Sequence, residues 1–108
     1  PQTAVLEPTS AVVPVGFDLT QNYPNPFNPE TRIRFTLPID GQMTLRVYNA
    51  AGQQIRTLAD GAHQAGFYNV FWDGTDGAGR RVASGTYLYR LEMPGADYRQ
   101  SRSMTLAQ

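Results

Sequence analysis

The sequence has no cysteine, no lysine, one histidine and one tryptophan. Without cysteine, disulfides, thiolate nucleophiles and cysteine-based zinc sites are excluded together, and the redox compartment is left open. No stretch approaches the roughly 18 to 20 apolar residues that a membrane span needs. The N-terminus lacks the basic region and apolar core of a signal peptide, so any export signal is expected to lie outside this sequence. Nine arginines balance nine acidic residues, so no overall field draws in nucleic acid or an anionic membrane. The arginines are scattered along the chain and read as solvated strand faces.

What is present favours a single all-β domain. A chain of 108 residues can bury roughly 60 to 70 % of the surface that its unfolded form exposes. Ten glycines and eight prolines, set among many Val, Leu, Thr and Tyr, predict short strands and tight turns rather than helices. Residues 1–15, punctuated by Pro1, Pro8 and Pro14, read as an extended inter-module linker, as in a domain cut from a longer protein. Residues 16–108 are expected to form the domain.

Within that domain, strand-like runs recur between turn signals. Gly16 to Gln21 predicts a first strand. Asn22-Tyr23-Pro24-Asn25-Pro26-Phe27-Asn28-Pro29 cannot be regular structure, because its prolines remove donors and force extended neighbours. It predicts a fixed, crossing loop. Ile33, Phe35 and Leu37 then alternate with Arg32, Arg34 and Thr36, and Met43, Leu45 and Val47 with Thr44, Arg46 and Tyr48, as half-buried strands do. Gln53 to Leu58 predicts a strand anchored by Ile55 and Leu58, with turns at Asp60-Gly61 and Ala65-Gly66. Tyr68, Val70 and Trp72 form the next inward set, followed by Tyr87, Tyr89 and Leu91. A turn at Pro94-Gly95 leads to a last strand, Tyr98 to Leu106, with Met104 and Leu106 inward. The sum is an immunoglobulin-like antiparallel β-sandwich of about seven strands.

Little in the chain suggests catalysis. His63 reads as a solvated loop residue, and no serine has the setting of a hydrolase nucleophile. Asp73 and Asp76, with Gly74 and Thr75, resemble an oxygen-rich calcium loop. The spacing fails for an EF-hand, since Ala78 stands where the glycine belongs and Ser84 where the terminal glutamate belongs. The simpler reading is a structural turn in which both aspartates cap backbone amides, and no metal or other cofactor is implied. Phe67, Phe71, Tyr48 and Tyr98, if outward, would suit a sugar-stacking platform, as in an accessory carbohydrate-binding or spacer sandwich of a multimodular secreted enzyme.

The run Gln21-Asn22-Tyr23-Pro24-Asn25-Pro26-Phe27-Asn28-Pro29-Glu30-Thr31 resembles the opening signature of the type A C-terminal sorting domains of the type IX (Por) secretion system. The likeness continues through Leu45-Arg46-Val47-Tyr48-Asn49, Gly52, Ala65-Gly66, Trp72-Asp73-Gly74, Ser84 to Leu91 including Gly85, and Ser103 to Leu106. The stretch from Trp72 to Leu91 also looks like the immunoglobulin-like domain of flagellar hook-capping proteins, which would imply a structural, self-associating subunit.

The sorting-domain resemblance implies a non-catalytic label carried by larger exported proteins of Bacteroidetes-type bacteria. Its partners would be the N-terminal cargo domains of the same polypeptide, the outer-membrane translocon and a sortase-like protease. The route would run through the periplasm to the cell surface or the medium. The recognition residues it implies are Asn25, Pro26, Phe27, Asn28 and Pro29 in the loop, with Arg102, Met104 and Leu106 near the end; Asp73, Gly74, Asp76 and Gly85 are structural turn residues. Family members often end in a basic residue, whereas here Arg102 is the nearest cation to the end. The loop itself fits a receptor-facing role, since its prolines limit the entropy lost on binding. Phe27 can equally act as a plug for one end of the sandwich.

Overall fold

Alternation of buried and exposed positions governs the strands. The computed structural model describes residues 14–107. Its elements are β1 (Asp18–Leu19), β2 (Thr31–Leu37), β3 (Gly41–Asn49), β4 (Gln54–His63), β5 (Gly66–Trp72), β6 (Gly85–Met93) and β7 (Tyr98–Leu106). Ile33, Phe35 and Leu37 of β2, Met43, Leu45 and Val47 of β3, Tyr68, Val70 and Trp72 of β5, and Tyr87, Tyr89 and Leu91 of β6 are all buried, as their spacing predicts. The linker expected over residues 1–15 lies outside the described residues, except for Pro14 and Val15.

The strands form two antiparallel sheets, one in the order β1-β2-β5 and the other β4-β3-β6-β7. Their inner faces meet in one apolar core to make an immunoglobulin-like sandwich. Three aromatic contacts organise this core. Trp72 has ring centroids 5.6 Å from Phe27 and 5.5 Å from Tyr87, and Phe35 stacks on Tyr68 at 5.3 Å. Each fully buried side chain of this size contributes roughly 1.5 to 3 kcal/mol.

Two local expectations change. The first strand shrinks to Asp18–Leu19, because only these residues pair fully with β2 before the chain turns into the loop. Asp60-Gly61 is no turn; β4 continues through it to His63, with Asp60 paired to Thr44 and Gly61 to Met43. The turn signal yields to cross-strand pairing, and Gly61 supplies the φ of 124° that other residues resist. A bulge between the Leu45–Ala59 and Arg46–Thr57 pairs leaves Leu58 unpaired, so that neighbouring Leu58 and Ala59 are both buried. The expected turn at Pro94-Gly95 is present as a 3-10 turn, Pro94–Ala96, closed by Asp97 N donating to Pro94 O at 3.0 Å.

Candidate functional site

The proline loop crosses one end of the sandwich and is tied to both sheets. On the side of its own sheet, Tyr23 and Arg32 exchange two backbone hydrogen bonds of 2.9 Å. Across the gap, Phe27 N donates to Thr105 O at 3.0 Å and Ala107 N donates to Phe27 O at 2.9 Å, a short parallel bridge to Leu106. Thr105 N donates to Asn25 Oδ1 at 3.0 Å, and Gln21 Nε2 donates to Ser103 O at 2.7 Å. Residues 21–27 therefore lie along the end of β7 and satisfy backbone groups on its free edge. Phe27 is 1 % exposed. The peptide bonds preceding Pro24, Pro26 and Pro29 are cis.

A buried polar cluster supports the loop from beneath. Asn22 N donates to the Tyr89 hydroxyl at 2.8 Å, and that hydroxyl donates to Thr20 O at 2.6 Å. Asn22 Nδ2 donates to Thr31 Oγ1 at 3.0 Å, and Thr31 Oγ1 donates to Pro24 O at 2.9 Å. Asn22 and Thr31 are buried, and these mutual bonds offset the cost of removing them from water. Burial pushes the Tyr89 hydroxyl up to about 12, against the Asn22 amide and the Arg102 charge, which favour its ionised form. Gln21, Asn22 and Thr31 belong to the motif run, yet their supporting role was not legible there. Tyr89 read only as a core residue.

The structure brings Asn25, Phe27, Met104 and Leu106 together. Met104 and Leu106 are buried in the core at 1 % exposure each. Asn25, Pro26, Asn28 and Pro29 are exposed. Arg102 takes an inward strand position on β7, and its Nε donates to Leu19 O, linking β7 to β1.

The aspartate turn closes the same end. Trp72 Nε1 donates to Thr75 O at 2.8 Å, and Asp73 Oδ1 accepts from Thr75 N at 3.2 Å and Thr75 Oγ1 at 2.5 Å. Asp76 Oδ1 accepts from Ala78 N at 2.9 Å and Arg80 N at 3.0 Å. The Arg80 amide leads the effects that hold the Asp76 carboxyl below the usual carboxylate range. Both aspartates thus cap turn amides, and among the described residues no three His, Cys, Asp or Glu side chains gather as a metal set. Gly74 has φ 78°, and a Cβ there would lie 3.3 Å from Pro29 O and 3.7 Å from Leu106 Cδ2. Its missing side chain lets loop, turn and last strand converge. Gly85, at φ 147°, opens β6.

Other residues fall elsewhere than expected. His63 ends β4 instead of lying in a loop, its Nδ1 3.0 Å from Gly61 O. Phe67 and Phe71 lie on β5, whereas Tyr48 sits under the Arg90 guanidinium at 5.0 Å. Tyr98 takes an inward position and stacks on Phe17 at 3.9 Å. The four aromatics therefore share no platform. The arginines are less scattered than the sequence suggests. Arg46, Arg90 and Arg99 each approach Glu92 at 3.9 Å, because cross-strand register sets Arg46 opposite Arg90 and Arg99 opposite Glu92.

With this geometry in view, the profile of the FlgD Ig-like domain family matches residues 25–97. The chain belongs to that family. The matched segment begins inside the proline loop and ends at the turn before β7. No curated protein matches the chain. Among solved structures, dimeric latent PorU from Porphyromonas gingivalis is similar with a TM-score of 0.68 and 20 % identity, over 93 % of this chain and 10 % of that one. PorZ, an essential surface component of the type-IX secretion system of the same organism, is similar with a TM-score of 0.56 and 18 % identity, over 86 % of this chain and 12 % of that one. At these identities the likeness is one of fold, and the chain spans about a tenth of either protein.

Proposed function

We propose that this FlgD Ig-like domain is a non-catalytic sorting module that directs a larger exported protein through type IX secretion to the cell surface or medium. Its partners in this reading are the outer-membrane translocon, a sortase-like protease and the cargo that precedes it in the polypeptide. One observation carries the reading: the proline motif and the end of β7, 80 residues apart in sequence, meet through the bond between Thr105 N and Asn25 Oδ1. The motif's exposed Asn25, Pro26, Asn28 and Pro29 are thereby held on a backbone whose position is set by Phe27 beneath it. A surface ordered before binding loses less entropy on capture. The fold shared with a segment of PorZ adds support from a type IX component.

The test is secretion of a periplasm-directed fluorescent reporter fused to Pro1–Gln108 in a bacterium with a working type IX system. Beside it stand a version lacking Tyr98–Gln108 and a full-length variant of the exposed Asn28, Asn28→Ala. The full fusion is expected outside the cell, and the truncation in the periplasm. Asn28→Ala is expected to fold normally and export at least tenfold less. A full fusion retained inside removes the sorting reading.

A further inference from the structure

Among the described residues, the free edge of β5 lacks the protection given to the others. β1 is two residues long. β4 has two register breaks and carries Arg56 and Asp60, while β7 carries Arg99 and Arg102 and is covered near its end by residues 21–27. Short length, bulges, charges and cover all discourage strand pairing. β5 reads Gly66-Phe67-Tyr68-Asn69-Val70-Phe71-Trp72, without charge or proline, and its pairing with β2 is unbroken. It is an edge because β4 pairs with β3 rather than with β5.

The backbone direction along this edge follows from β2. Thr20 N donates to Arg34 O, and Tyr23 and Arg32 exchange both bonds, so Arg32 and Arg34 turn their main-chain groups toward the β1 side. Antiparallel residues alternate in this respect, so Ile33 and Phe35 turn theirs to Val70 and Tyr68, their partners on β5. Phe67, Asn69 and Phe71 must then point N–H and C=O away from β2. Among the described residues none of these groups has a backbone partner beyond the sheet.

We infer that this edge docks a second copy of the chain, pairing β5 with β5 antiparallel about a two-fold axis at Asn69. The near-palindrome Phe67-Tyr68-Asn69-Val70-Phe71 singles out that occupant. In this register Asn69 faces Asn69 of the second copy, and Phe67 faces Phe71 of the second copy on the outer face. The three outward-pointing residues all exchange ladder bonds, the facing aromatics form the kind of cross-strand pair that stabilises sheets, and no charge on either β5 opposes another. The two three-stranded sheets become one continuous sheet.

Because the chain has no cysteine, single thiols can read the register. Directly opposed residues of a hydrogen-bonded pair have Cα atoms about 5.5 Å apart, within disulfide reach. Residue 71, facing residue 67, is more than about 10 Å from its own counterpart. Asn69→Cys is expected to form a disulfide-linked dimer under mild oxidation at least tenfold faster than Phe71→Cys. Sedimentation of the unmodified chain is expected to show mass rising with concentration from 12.0 kDa to twice that value. Asn69→Pro removes an outward backbone donor and one exposed side-chain bond from Arg34, and should leave a folded monomer by circular dichroism. A chain that stays monomeric to about 1 mM, equal cross-linking of the two cysteine variants, or association that survives Asn69→Pro would each overturn the pairing. Should the proline variant fail to fold, the cysteine comparison still decides.

Discussion

β7 and β5 are both edge strands, and they meet solvent in opposite ways. β7 is closed by side chains and backbone from the proline loop: Gln21, Asn25 and Phe27 each bond to it, and Arg102 ties it to β1. β5 has alternating aromatics and no comparable cover among the described residues. The contrast separates two kinds of specificity in one small fold. At β7, contacts within the chain consume the edge and build a shaped surface. At β5, the backbone itself remains the recognition element.

Substitutions test that division. Phe27→Ala strikes the closed edge hardest, because it empties the space beside Trp72 and undermines the bridge to Leu106. A loss of about 3 to 5 kcal/mol is expected in urea unfolding. A loss below about 1 kcal/mol would mean that the loop rests on the sandwich without holding it.

Tyr89→Phe should cost about 1 to 3 kcal/mol, because Asn22 N and Thr20 O lose their common hydroxyl partner. Its pH dependence sharpens the point. Burial raises the folded-state value from 10.0 to about 12, so the folded protein holds this proton more tightly than the unfolded chain. The resulting stabilisation is complete below pH 10 and declines as pH rises toward 12. Unfolding measured across that range should show the difference between wild type and Tyr89→Phe narrowing. Tyr68, Tyr87 and Tyr98, also raised by burial, add a slope common to both proteins. On the open edge, Asn69→Thr should change the stability of the isolated domain by no more than about 0.5 kcal/mol, as its outer-face side chain makes one exposed bond of 3.3 Å with Arg34.

Local alternation made most strands legible. The inward sets on β2, β3, β5 and β6, and Met104 and Leu106 on β7, all occupy the core, since a two-residue period leaves little choice when one face must be buried. β4 was half legible. Its bulge at Leu58 breaks the period, and Asp60-Gly61 mimics a turn whose residues instead pair with β3. The loop could be recognised as irregular and rigid from its prolines, but not its partner, since a bond between Asn25 and Thr105 leaves no trace in local spacing. The arginine group around Glu92 was hidden for the same reason: it is assembled across β3, β6 and β7.

The bond between Asn25 and Thr105 joins residues that leave the ribosome far apart in time. Until Thr105 and Ala107 have emerged, Asn25 and Phe27 have no strand to grip, and closing so long a loop is a late event in folding. A chain broken off between Thr31 and Tyr98 would therefore carry every letter of the proline motif and still lack the strand it grips. The clasp converts the presence of β7 into the shape of a loop set far earlier in the chain.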